Sequence, residues 1–185
     1  MDTTLRDGEQ TSGVAFAAQE KLSIARLLLE ELCVDRIEIA SARVSEGEYN
    51  SVKRVAEWAR KNGHIHKVEV LGFVDGRSSL DWIRNAGCEV LNLLCKGSLK
   101  HCSYQLKKNP EEHIADIKKV LANARDMGIA VNVYLEDWSN GMRDSEDYVF
   151  FMVDALKNEN IKRFMLPDTL GILNPDETRL FSEKM

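Results

Sequence analysis

Short runs rich in β-branched and large apolar residues recur along the chain, separated by longer stretches with apolar residues every three or four positions. Arg36–Ala40 (RIEIA), Lys67–Phe73 (KVEVLGF), Glu89–Leu94 (EVLNLL), Ala130–Leu135 (AVNVYL) and Lys162–Leu166 (KRFML) have the composition of strands. Met1–Leu5 reads as the stub of an earlier one. Gln19–Leu32 places Leu22, Ala25, Leu28, Leu29 and Leu32 on one helical face, and Pro110–Met127 does the same with Ile114, Ile117, Leu121 and Ala124. The second of these has a clear start: Asn109 as N-cap, Pro110 next, and Glu112 three residues after the cap. Weaker helical patterns cover Glu46–Lys61, Ser78–Ala86, Ser145–Lys157 and a segment beginning near Pro175. The segment around Lys96–Asn109 reads as the longest loop.

Gly63, Gly87 and Gly128 each end a helical stretch directly before a strand, where a left-handed cap lets the chain turn back. Strand–helix alternation of this kind implies a parallel sheet with right-handed crossovers. Four strands also carry one polar residue between apolar neighbours: Glu38, Glu69, Asn92 and Asn132. A strand covered by helices on both faces is normally apolar on both. A barrel strand has one face toward helices and the other toward the barrel interior. The lone polar residues are therefore expected to point inward, as a hydrogen-bonded layer. Ala40, Leu71, Leu94 and Tyr134 are expected in the layer above, and Ala42, Phe73, Lys96 and Glu136 at the mouth. The expected fold is α/β, a (β/α)8 TIM barrel, with a doubly wound open sheet as the alternative. A complete barrel takes about 250 residues. Residues 1–185 therefore read as the N-terminal part of a single barrel domain, strands one to six, with strands seven and eight missing.

The formal charge of −5 argues against a nucleic-acid partner, which would require basic clusters for phosphate. No apolar run is long enough to span a bilayer, and Arg6, Asp7 and Glu9 interrupt the N-terminus too early for a signal peptide. Cys33, Cys88, Cys95 and Cys102 form no C-x-x-C pair and read as small buried hydrophobes in a reducing cytoplasm. His64-Ile65-His66 is an H-x-H, but it follows a helix end and precedes a strand. That is the N-terminal, stability side of a barrel, so a structural role is expected. His113, in the first turn of a capped helix, is expected to be exposed, whereas His101 follows a strand on the catalytic side. Trp58 and Trp82 are expected in the core, and Trp138 over the site.

The segment richest in chemistry is Asp2-Thr-Thr-Leu-Arg-Asp-Gly-Glu-Gln10. A carboxylate beside a guanidinium, as in Arg6-Asp7, can hold a divalent cation and an anionic substrate side by side, although the same pair is often a surface ion pair. The whole string DTTLRDGEQ resembles the N-terminal signature of the DRE-TIM metallolyases. These are the 2-isopropylmalate, homocitrate and citramalate synthases, with hydroxymethylglutaryl-CoA lyase as a cousin. VDRIEIASARVSEGE (34–48), LGFVDG (71–76), LNLLCKGS (91–98), NVYLEDWSNG (132–141) and LPDTLGILNP (166–175) agree in order and spacing. The resemblance is strongest to the (R)-citramalate synthase branch, which condenses acetyl-CoA with pyruvate. It implies a cytoplasmic acyltransferase that uses a divalent ion (Zn, Mn or Mg), with acetyl-CoA as co-substrate, and a homodimer at full length. Asp7 would be a metal ligand, Arg6 would steady the oxo group and oxyanion, Thr169 would hold the oxo acid's carboxylate, and Glu136 would be the acid–base group. Leu71, Leu94 and Tyr134 would size the pocket. The family's other metal ligands, an H-x-H on strand seven, have no counterpart here. A 2-isopropylmalate synthase, a related lyase and a catalytically silent fragment are the other readings.

Overall fold

The computed structural model describes all residues 1–185. Five parallel strands, β1 (Ile37–Ser41), β2 (Val68–Phe73), β3 (Val90–Lys96), β4 (Ala130–Glu136) and β5 (Arg163–Met165), pair in chain order β1-β2-β3-β4-β5. Eight helices accompany them: α1 (Ala18–Arg26), α2 (Glu46–Lys61), α3 (Ser78–Asn85), α4 (Leu99–Tyr104), α5 (Pro110–Met127), α6 (Trp138–Asp144), α7 (Glu146–Leu156) and α8 (Pro175–Lys184). A doubly wound sheet reverses its strand order at a switch point. An unbroken sequential order is instead the order of a barrel wall, and the sheet is an arc of one. No helix is long and apolar enough to cross a membrane.

Alternate strand residues explain the layering. Ile37 and Ile39, Val68 and Val70, Leu91 and Leu93, and Val131 and Val133 join the main apolar cluster. Glu38, Glu69, Asn92 and Asn132 occupy the other face, each at most 1% exposed, and they are bonded as expected. Asn132 Nδ2 donates to Asn92 Oδ1 at 2.8 Å, and Asn92 Nδ2 donates to Glu38 Oε1 at 2.6 Å. Arg36 NH1 donates to Glu69 Oε1 at 3.2 Å.

The helix of the Asn109–Glu112 motif spans Pro110–Met127 with the expected capping box. Gly63, Gly87 and Gly128 take positive φ of 75°, 85° and 70°.

Several expectations are corrected. Met1–Leu5 is not a strand; only Asp2 bridges to Ile37. α1 passes into a π turn over Leu27–Glu31, which rotates Leu32 out to solvent and leaves it exposed. The expected loop at Lys96–Asn109 contains α4, and α6 was not foreseen. As expected, the H-x-H histidines precede β2, at a 3-10 turn over Ile65–Lys67. Cys33 is exposed at a left-handed turn, while Cys88, Cys95 and Cys102 are buried. Trp58 and Trp82 are half-buried against the core rather than within it.

The correction that affects the site is in β1. Glu38 pairs with Glu69 and Ser41 with Leu71, so β1 advances three residues while β2 advances two. This bulge swings Ala40 and Ala42 into the apolar core and turns Ser41 inward in their place.

Candidate active site

The loop before α1 is fastened from below. Leu5 is fully buried, and the amides of Arg6, Asp7 and Gly8 all converge on the Thr3 carbonyl, at 3.0, 2.8 and 3.2 Å. Lys21 of α1, 1% exposed, binds Glu9 at 2.6 Å, Glu48 of α2 at 2.6 Å and the Leu5 carbonyl at 3.3 Å. A buried ammonium with two carboxylates and a carbonyl is compensated. It ties the loop to two helices, a role its place in an ordinary helix did not reveal.

The loop aims Arg6 into the arc. Its Nε meets the fully buried Glu38 carboxylate at 2.5 Å, and its NH1 meets Asp7 at 2.6 Å. Burial works against the Arg6 charge, but Glu38 and Asp7 outweigh it and the guanidinium pKa is raised. Burial also pushes the Glu38 carboxyl up, against the opposing pull of Arg6 and Asn92. The Tyr134 phenol lies against Arg6, and burial pushes it up as well.

All seven residues singled out from the sequence, Arg6, Asp7, Leu71, Leu94, Tyr134, Glu136 and Thr169, line one cavity of about 530 Å³ at the C-terminal ends of the strands. Thr3, Gln10, Ser41, Phe73, Pro167 and Asp168 complete its wall. All six sit within the motif strings, but the inward turn of Ser41 was hidden by the bulge. A second hollow of about 580 Å³, lined by His101, Tyr104, Asn140 and Leu170 among others, adjoins at Thr169.

At the mouth, β3 and β4 pair Lys96 with Glu136, and the Lys96 ammonium binds Glu136 Oε2. Beside it, Asp137 adopts left-handed φ 65°. The Asp137 N–H donates to Thr169 Oγ1 at 2.9 Å, and its carboxylate accepts from Ser98 Oγ at 2.7 Å and Asn140 Nδ2 at 2.8 Å. His101 Nε2 stands 3.5 Å from Asp137. His113 corrects its expectation: it is 1% exposed, and its Nε2 accepts the Lys96 backbone N–H at 3.1 Å. Trp138 is buried edge-on against Phe181 rather than standing over the cavity.

The donor set does not by itself fit a resident metal ion. No group of three His, Cys, Asp or Glu side chains is arranged to hold one. Asp7 is a single hard oxygen donor, largely exposed and already paired with Arg6. His66 lines a hollow with Arg36, Glu69 and Arg163 at the opposite ends of the strands.

Residues 1–184 match the HMGL-like family. The chain belongs to this family. Among relatives of this HMGL-like chain, a protein named as an (R)-citramalate synthase in Methanopyrus kandleri is 34% identical over 100% of this chain and 34% of its own. The 2-isopropylmalate synthase of Polynucleobacter asymbioticus is 32% identical over 95% of this chain and 33% of its own. That of Saccharolobus solfataricus is 32% identical over 94% and 43%. The chain thus spans about a third to two-fifths of the length of these relatives. Among solved structures, the hydroxymethylglutaryl-CoA lyase of Bacillus subtilis superposes with TM-score 0.78 at 20% identity, over 99% of this chain and 62% of that one. A lyase of Acinetobacter baumannii in complex with coenzyme A and 3-methylmalate gives TM-score 0.63 at 18% identity, over 99% and 60%. These likenesses establish the barrel fold of the HMGL-like chain.

Proposed function

We propose that the mouth cavity condenses acetyl-CoA with a small 2-oxo acid, pyruvate in first place, to give (R)-citramalate. One observation carries the reading: a guanidinium, a hydroxyl, a carboxylate and a compact apolar layer share one cavity. Arg6 is assigned the oxo group, and Thr169 the carboxylate of the oxo acid. Glu136 takes a proton from the acetyl methyl, and the resulting enolate carbon forms the new bond to C2. The carbonyl electron pair moves onto oxygen, where Arg6 stabilises the charge as it develops. Water then cleaves the thioester and releases coenzyme A. The adjoining hollow is assigned to the acyl-CoA arm, with His101 at its wall. Asp7 is the carboxylate proposed to contribute one hard oxygen to a divalent ion.

Substrate size is assigned to Leu71, Leu94 and Tyr134, which leave room for a methyl but not an isopropyl group. The relatives are divided between the citramalate and 2-isopropylmalate names at nearly equal identity, so overall similarity does not choose. The test is kcat/KM in the full chain for pyruvate and 2-oxoisovalerate. Pyruvate is expected to win by about tenfold or more, since an apolar pocket discriminates by about 1–3 kcal/mol per methylene. Tyr134→Ser is expected to erode the preference. Equal use of both acids would move the assignment to 2-isopropylmalate synthase, and turnover of neither would favour the silent reading.

A further inference from the structure

We propose that Asp137 is a positioning residue whose left-handed backbone sets the direction in which the Thr169 hydroxyl donates, and so builds the carboxylate subsite. The inference rests on the reading of Thr169 given above. A hydroxyl has one proton and two acceptor lone pairs. The Asp137 N–H occupies one lone pair of Thr169 Oγ1 at 2.9 Å, so the Thr169 proton must go elsewhere. Thr169 lines the mouth cavity, and a carboxylate there can only accept. With one lone pair held by the Asp137 N–H, the proton and the remaining lone pair share the other directions around Oγ1, and a carboxylate, which only accepts, takes the proton.

The backbone at Asp137 makes this possible. The Glu136 carbonyl still accepts the Gly97 N–H at 2.6 Å, and the next N–H, that of Asp137, leaves the ladder for Thr169. The turn needs φ 65°, a region that a non-glycine residue enters at a cost and that aspartate tolerates better than most. An uncommon conformation of this kind persists when its surroundings over-determine it. Here Ser98 and Asn140 grip the two carboxylate oxygens, and the side chain is almost fully buried. The carboxylate is therefore occupied in holding the turn, and its effect on a substrate passes through the backbone and Thr169.

A double-mutant cycle on pyruvate affinity in the full chain tests this. Thr169→Val is expected to raise the Kd for pyruvate about tenfold, the scale of a lost hydrogen bond to a charged group. Asp137→Ala, which keeps the β-carbon in the left-handed turn but loses the carboxylate that Ser98 and Asn140 hold, is expected to raise it about five- to tenfold, by the same loss. The double variant should be no weaker than Thr169→Val alone, to within about twofold, because both act through one hydroxyl. A merely structural role would make the two effects multiply, and that result overturns the inference while leaving Thr169 as the carboxylate's partner. An unchanged Kd in Thr169→Val, or no pyruvate binding by the unmodified protein, overturns the underlying reading and the inference with it. If Asp137→Ala fails to fold, Ser98→Ala removes one grip without altering the strained residue. It should raise Kd about threefold, a fraction of that hydrogen-bond effect, and vanish on the Thr169→Val background. Persistence of its effect on that background overturns the inference equally.

Discussion

His113 and Glu38 are both buried titratable groups, and their partners give them opposite consequences. Glu38 faces a guanidinium, so its charge is useful. His113 faces a backbone N–H, which requires a lone pair on Nε2 and hence the neutral ring. Burial, with the Lys108 ammonium nearby, pushes the His113 pKa down to about 4 from 6.5. The unfolded chain then binds a proton that the folded chain refuses. Its contribution to stability is full above about pH 6.5, is lost as pH falls toward about 4, and amounts to about 3 kcal/mol. Thermal melts of wild type and His113→Gln at pH 7 and pH 4.5 check this: wild type should lose more stability between the two than the variant. Parallel losses would show that His113 is not the group responsible.

Helix α6 owes its position to two glycines. A β-carbon on Gly141 would stand 2.1 Å from the Gly97 carbonyl oxygen, and one on Gly97 would stand 2.6 Å from the Leu135 carbonyl oxygen. Both obstacles are backbone, so no rotamer change relieves them. This contact lets α6 start directly at the end of β4 and seats Asp137 beside Thr169. Gly141→Ala must force the helix away from the β3–α4 turn, at a cost of about 3 kcal/mol, the upper range for overpacking. For a chain of this size that lowers Tm by about 6–12 °C. Gly13, whose added β-carbon would meet nothing within 4 Å, is the control: Gly13→Ala carries only the strain of its positive φ, about 1 kcal/mol. Equal Tm values for Gly141→Ala and wild type would show that the close crossing is not holding α6.

For the whole molecule, the open sides of the arc matter most. β5 is three residues long and pairs only with β4, while β1 is met on its other side by the single Asp2 bridge. Unpaired edges are templates for another strand. The 185-residue chain is therefore expected to self-associate as concentration rises toward about 100 μM, in the range where exposed edges drive association. Sedimentation analysis across a dilution series is the measurement. A monodisperse monomer throughout would mean that the edges are adequately blunted.

The patterns that the sequence determined are local ones. Strand alternation reads at two residues, helix faces at three and four, and the Asn109–Glu112 cap at three, so each depends on neighbours along the chain. The polar stripe of Glu38, Glu69, Asn92 and Asn132 even indicated a barrel interior, because polar residues at core spacing require partners. The strings around Arg6, Glu136 and Thr169 pointed to residues that line one cavity. Tertiary structure decided what depends on distant residues. The β1 bulge exchanges Ala40 and Ala42 for Ser41 because register is set against β2. Lys21 is buried because Glu9 and Glu48 meet there, and His113 turns inward because the Lys96 N–H needs an acceptor. α4, at six residues, is too short to display a period. The bond from Asp137 to Thr169 joins residues 32 positions apart, and only packing brings them together.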